Sequence, residues 1–98
     1  MADVIKMDYA AMEQLIAALR QANGSLLDVQ KVETQMAQLL ENGALLGAAG
    51  THFSSAINGP LVRSTGKLAD KMQELANECA KAMDIMKQRD QEASGRFK

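Results

Sequence analysis

Between Met12 and Leu40 apolar residues recur at alternating three- and four-residue steps, and no other feature of the sequence restricts the fold as much. The series runs Met12, Leu15, Leu19, Ala22, Leu26, Val29, Met36 and Leu40, with only Glu33 off the pattern and Val32 beside it. Residues three and four apart share one face of an α-helix, so this spacing predicts a long amphipathic helix. Doublets at Leu15-Ile16, Leu26-Leu27 and Leu39-Leu40 widen the stripe beyond a two-helix seam and suit contact with more than one neighbouring helix. Asp8 is placed to cap the helix start. Asn23-Gly24-Ser25 looks like a turn, yet the phase passes through it unshifted and Gly24 falls opposite the apolar face. An exposed mid-helix glycine costs about 1 kcal/mol, which a long amphipathic helix absorbs. One helix is therefore expected from about residue 8 to 42, spanning roughly 50 Å, with Asn42-Gly43 as its left-handed cap.

A short, small-residue turn over 43–48 leads into a second helix over about 49–93. Leu68, Met72, Leu75, Cys79, Ala82 and Met86 repeat at four–three spacing, whereas Phe53, Ile57 and Leu61 before them step four–four. Asn58-Gly59-Pro60 sits at that drift, and a proline inside a helix predicts a kink near 58–60. Ser94-Gly95 closes the helix and leaves a tail over 94–98. The expected fold is a single all-α domain, an antiparallel helical hairpin. Its core and pairing face comprises Met12, Leu15, Leu19, Leu26, Val29, Met36, Leu40, Phe53, Ile57, Leu68, Met72, Leu75 and Met83. A hairpin of 98 residues is under-buried alone, and pairing two into a four-helix bundle dimer is the economical solution.

Composition removes several function classes. Net charge is −1 with the basic residues scattered among acids, and Tyr9, Phe53 and Phe97 are the only aromatics, so nucleic acid is not an expected partner. The single Cys79 precludes an intrachain disulfide or a multi-cysteine metal site. It lies on the apolar stripe and reads as a small buried hydrophobe. His52 stands alone without ligand-spaced neighbours. The glycines at 43, 47 and 50 are not followed by a Gly-Lys-Ser/Thr, so they do not form a phosphate loop. No nucleophile–base pattern or carboxylate pair stands in a predicted cleft, so no enzyme, cofactor, metal or small-molecule substrate is expected. Met1 to Met7 lacks the apolar core of a signal peptide, and no stretch approaches the roughly 20 apolar residues that span a bilayer. A protein that starts in the cytoplasm is expected, leaving it, if at all, by a route that reads no signal peptide.

Two short segments carry a family likeness. In the turn, Leu45-Leu46-Gly47 is followed by Ala48-Ala49-Gly50-Thr51-His52-Phe53. Near the end, Met86-Lys87-Gln88-Arg89-Asp90 runs into Gln91-Glu92-Ala93-Ser94-Gly95-Arg96-Phe97. Together with length and hairpin pattern, these resemble the WXG family of bacterial type VII (ESX) secretion proteins, which includes the early secreted antigen group. That family carries Trp-x-Gly in the turn, Tyr-x-x-x-Asp/Glu near the end of the second helix, and in many members an Asp-x-x-Ala-x-x-Arg-Phe ending. Here Leu45 stands for the tryptophan and Met86 for the tyrosine. Both replacements keep apolar volume and lose the ring.

The resemblance implies a small secreted interaction protein that forms a homodimer or a heterodimer with another hairpin of its type. It implies a turn motif at Leu45, Leu46 and Gly47, and an export signal at Met86, Asp90 and Phe97 read by an FtsK-like secretion ATPase. Other readings of the same pattern are a non-secreted targeting chaperone for a larger toxin of such a system, a membrane-active helix pair, and a cytosolic coiled-coil adaptor. The interspersed acids and the lack of a lysine-rich polar face count against the membrane reading.

Overall fold

The computed structural model describes residues 6–96, and among these the chain is an antiparallel helical hairpin with no strand. Helix α1 spans Tyr9–Leu39 and starts where the Asp8 carboxylate accepts from the Ala11 amide at 3.0 Å. It passes through Gly24 without a break. That glycine faces open space, so the helix gives up about 1 kcal/mol there relative to alanine and nothing in packing. The last turn widens into π-helical geometry over Leu40–Ala44 and stops at Gly43, whose φ of 107° no residue with a Cβ adopts comfortably.

The second arm is built from α2, Ala48–Ala56, and α3, Val62–Arg96, joined by a π-helical turn over Ile57–Leu61 that contains Pro60. A π turn accommodates the missing proline amide and takes up one extra residue. The four–four spacing of Phe53, Ile57 and Leu61 is the trace of that widened turn, and strict four–three spacing resumes once α3 begins.

The seam between the arms is narrow and unusually polar. Residues at heptad spacing face inward: Met12, Ile16, Leu19, Asn23, Leu26, Gln30, Glu33 and Ala37 from α1, against Thr65, Ala69, Met72, Ala76, Cys79 and Met83 from α3. Among the described residues only Ala37, Ala69 and Ala76 are buried apolar residues, and their small side chains let the helices approach closely. Between them the seam is pinned by side chains. Asn23 Nδ2 donates to the Ala69 carbonyl at 2.8 Å, and Gln30 Nε2 to the Val62 carbonyl at 3.0 Å. Gly66 makes room for Gln30, because a Cβ at that position would lie 2.8 Å from its Nε2. Glu33, which breaks the apolar repeat of the sequence, is 4% exposed and accepts from Thr65 Oγ1 at 2.6 Å. Such ties fix which turn meets which, the role of a single buried polar residue in coiled coils.

The hairpin is thin. Its radius of gyration is 21.9 Å, against about 13 Å for a compact chain of this length. Its accessible surface is 7444 Å², against about 5,500 Å² for a compact monomer of the same mass. One layer of two helices leaves much of the apolar stripe uncovered.

Candidate interaction surface

The rows of side chains one position before the seam residues decide what the hairpin shows to its surroundings. On α1 this row runs Leu15, Ala22, Val29 and Met36, with Ala18, Val32 and Leu39 beside it. On α3 it runs Leu68, Leu75 and Ala82, with Leu61 ahead of it in the π turn. Because the arms are antiparallel, both rows lie on the same side of the hairpin. The middle of that side is therefore apolar between Leu15 and Met36 on α1 and between Leu61 and Ala82 on the second arm, with Lys71 and Glu78 at its outer edge and Asp8 and Arg89 at the open end. The other side carries Glu13, Arg20, Thr34, Gln73 and Lys87, interrupted by Leu27.

The residues expected on the core and pairing face thus divide into two groups. Met12, Leu19, Leu26, Leu40, Ile57, Met72 and Met83 are half-buried between or beside the arms. Leu15, Val29, Met36, Phe53, Leu68 and Leu75 remain 42–51% exposed. A contiguous apolar face larger than a few hundred Å² on a lone chain marks an interaction site.

The turn forms a second exposed feature. Leu45 is extended, Leu46 is 80% exposed, and Gly47 has φ 82° and ψ −161°, a region open to glycine alone. Gly50 is buried under the Leu45 carbonyl, where a Cβ would sit 1.7 Å from the oxygen. Ser54 ties α2 to the end of the first arm, its Oγ 2.9 Å from Glu41 Oε1 and 3.3 Å from the Ala37 carbonyl. Between these parts lies an open cavity of about 240 Å³ lined by Leu40, Glu41, Leu45, Leu46, Gly47, Thr51, Ser54 and Ser55. His52 stacks edge-on against Phe53 with ring centroids 5.7 Å apart, both exposed. Among the described residues no group of three or more His, Cys, Asp or Glu side chains could hold a metal ion.

The third feature is the open end of the hairpin. Met86 is half-buried against α1, and Asp90 is exposed one turn later. Phe97 lies outside the described residues. The structure brings to Asp90 a residue that the sequence marks only as an aromatic: Tyr9, the first residue of α1, donates its hydroxyl to the Asp90 carboxylate. Lys87 places its ammonium 5.6 Å from the centre of the same ring. An aromatic ring and an acid thus stand together at this end although they come from different arms. The signal that could have found the pair is register, since an α1 that starts at Asp8 and runs antiparallel to the second arm begins level with residue 90.

The hydrogen bond to Asp90 raises the Tyr9 phenol above its ordinary value near 10, helped by desolvation and by the carboxylate's charge. The neutral phenol is the form stabilised. The tie is therefore complete below the ordinary phenol range and is lost as pH rises through the raised value. Tyr9 is the only tyrosine and tryptophan is absent, so absorbance at alkaline pH follows it alone. Its midpoint should lie above that of a free tyrosine and fall back towards it in Asp90→Asn. An ordinary midpoint in the unaltered chain would show that the tie does not form.

No family model, curated protein or solved structure matches the chain.

Proposed function

We propose that this chain is a helical-hairpin interaction protein of WXG type, exported by a type VII secretion system or escorting that system's cargo. The observation that carries the reading is the one-sided hairpin. Its polar seam holds two helices together while an apolar strip along the middle of one side stays open for a partner hairpin. Such a surface belongs to association rather than to chemistry, and closing it gives the four-helix bundle.

The ends of the hairpin support the family part of the proposal. The Leu45-Leu46-Gly47 turn presents an exposed leucine where the family carries its tryptophan. At the opposite end Asp90 has beside it the Tyr9 ring in place of the tyrosine that Met86 lacks. Export then proceeds through recognition of the segment around Met86, Asp90 and Phe97 by an FtsK-like ATPase, with no cofactor. Among the described residues no helix is long and apolar enough to cross a membrane.

The test is export of the tagged chain from a bacterial host carrying a type VII system. Asp90→Ala with Phe97→Ala is expected to abolish appearance in the medium while the cytoplasmic level is maintained. Undiminished export of the double variant would remove the tail-signal proposal.

A further inference from the structure

We infer that Tyr9 and Asp90 latch the open end of the hairpin, and that the segment around Asp90 is presented beside an aromatic ring only while this latch is shut. The inference deepens the export reading given above and rests on it for the receptor. The latch itself rests on how the ties between the arms are distributed.

That distribution is uneven. The bonds from Ser54 to Ala37 and Glu41, from Gln30 to Val62, from Thr65 to Glu33 and from Asn23 to Ala69 all lie between the middle of the hairpin and its turn. From Asn23 to the open end is roughly 20 Å along α1. Over that stretch the only hydrogen bond across the arms, among the described residues, is the one from Tyr9 to Asp90. The rest of the seam there is Met12, Ile16 and Leu19 against Met72, Ala76, Cys79 and Met83, of which Ala76 alone is buried and the others are half-buried. Methionines repack easily and fix no register. Ends with few buried contacts are where a fold opens first, so a tie at the very end governs whether the stretch behind it stays closed.

Tyr9 is held from two sides. The Asp8 carboxylate caps the Ala11 amide, which sets Tyr9 in the first turn of α1. Its hydroxyl goes to Asp90, while the Lys87 ammonium stands 5.6 Å from the ring centre. Lys87 and Asp90 are three residues apart on one face of α3, so a cation and a carboxylate of the same arm grip the ring and its polar tip together. Asp90 stays exposed, and a receptor reaches it without opening the hairpin. Because ring and acid come from opposite arms, a receptor that reads both reads the closed hairpin. An open end presents the acid alone.

Cys79 is the only cysteine and lies half-buried in this stretch of the seam, so its thiol reports opening in the chain as it stands. Tyr9→Phe keeps the ring and removes the hydroxyl. It is expected to speed modification of Cys79 by a small disulfide reagent roughly two- to fivefold at fixed pH, and Asp90→Ala to do the same. The two together should add little, because both delete one tie. Amide exchange should quicken over residues 12–19 and 79–89 and stay unchanged over 30–37 and 62–69, which shows that the rest of the hairpin remains folded. In the export assay, Tyr9→Ala should lower the amount in the medium at least about fivefold at an equal cytoplasmic level. Adding Met86→Tyr places a ring one turn before Asp90 on its own arm. It should restore export while Cys79 stays fast.

Unchanged Cys79 reactivity in both Tyr9→Phe and Asp90→Ala would overturn the latch. Faster exchange spread over the whole chain would also overturn it, since the tie would then support the fold at large. Full export of Tyr9→Ala, with export still lost in Asp90→Ala, would overturn the joint presentation of ring and acid and leave the secretion reading standing. A fast Cys79 in the latch variants, together with export indifferent to Asp90 and Phe97, would sustain the latch and remove the secretion reading.

Discussion

Gly50→Ala is expected to open the turn and cost at least about 3 kcal/mol of stability, the upper range for overpacking. The added Cβ would lie 1.7 Å from the Leu45 carbonyl oxygen and 2.8 Å from its carbon. Both are main-chain atoms, held by the extended backbone of Leu45 and by Gly47, so neither can step aside as a flexible side chain would. Relief requires α2 to swing away from the end of the first arm, which breaks the Ser54 ties to Glu41 and Ala37. For a domain of this size each kcal/mol is about 4–8 °C in Tm. Thermal unfolding by circular dichroism at fixed protein concentration should therefore fall by more than about 12 °C. Gly47→Ala provides the scale, since its φ of 82° and ψ of −161° predict a backbone cost of about 1–3 kcal/mol without any clash. A Gly50 variant no worse than the Gly47 variant would show that the turn rearranges freely.

Thr65→Val is expected to cost about 1–3 kcal/mol, although it removes no apolar contact and keeps the shape of the side chain. Its hydroxyl lies 2.6 Å from Glu33 Oε1 and 3.1 Å from Oε2, and Glu33 is buried in the seam. With valine in place the carboxyl group stays desolvated and loses its donor. Replacing both partners, Glu33→Leu with Thr65→Val, should recover most of the loss, because two apolar groups leave nothing unsatisfied. Urea midpoints of the single and double variants, with unchanged m, decide the matter. If Thr65→Val is neutral, or the double variant is worse than the single, the seam is not held by this tie. The double variant has a further use. If the ties specify register, it should be stable yet less uniform in how its arms align.

The hairpin itself was legible in the sequence because its signature is periodic. Apolar residues at three–four spacing, Asp8 at the start, Gly43 at the end and Pro60 at the drift each follow from backbone geometry. The division of the stripe was not legible. Two adjacent rows, both apolar, read as one broad face, and only the packing tells that Ile16 and Leu26 turn inward while Leu15 and Val29 stay outside. The inner row was also disguised. Its contacts are made by Asn23, Gln30, Glu33, Thr65 and small alanines, residues that a hydrophobic pattern counts as gaps. Glu33 appeared as a defect in the repeat and is instead a buried partner. The close approach at Gly50 depends on where the Leu45 carbonyl points, which no residue type announces. At the open end, Met86 and Asp90 were visible as a motif. Tyr9 was not, because its relation to Asp90 exists only across the hairpin.

A rod 76 Å long and 24 × 14 Å across tumbles and diffuses unlike a sphere of its mass. With a radius of gyration of 21.9 Å, one hairpin matches a compact chain of roughly 400 residues. On a gel-filtration column calibrated with compact standards, a single copy would therefore elute ahead of a compact monomer of its mass. Elution volume alone would overstate the mass of one copy, and the shift on pairing side by side would be smaller than the doubling of mass suggests, because the length hardly changes. Rotational diffusion separates the cases better, since pairing thickens the rod and slows spinning about the long axis far more than end-over-end tumbling.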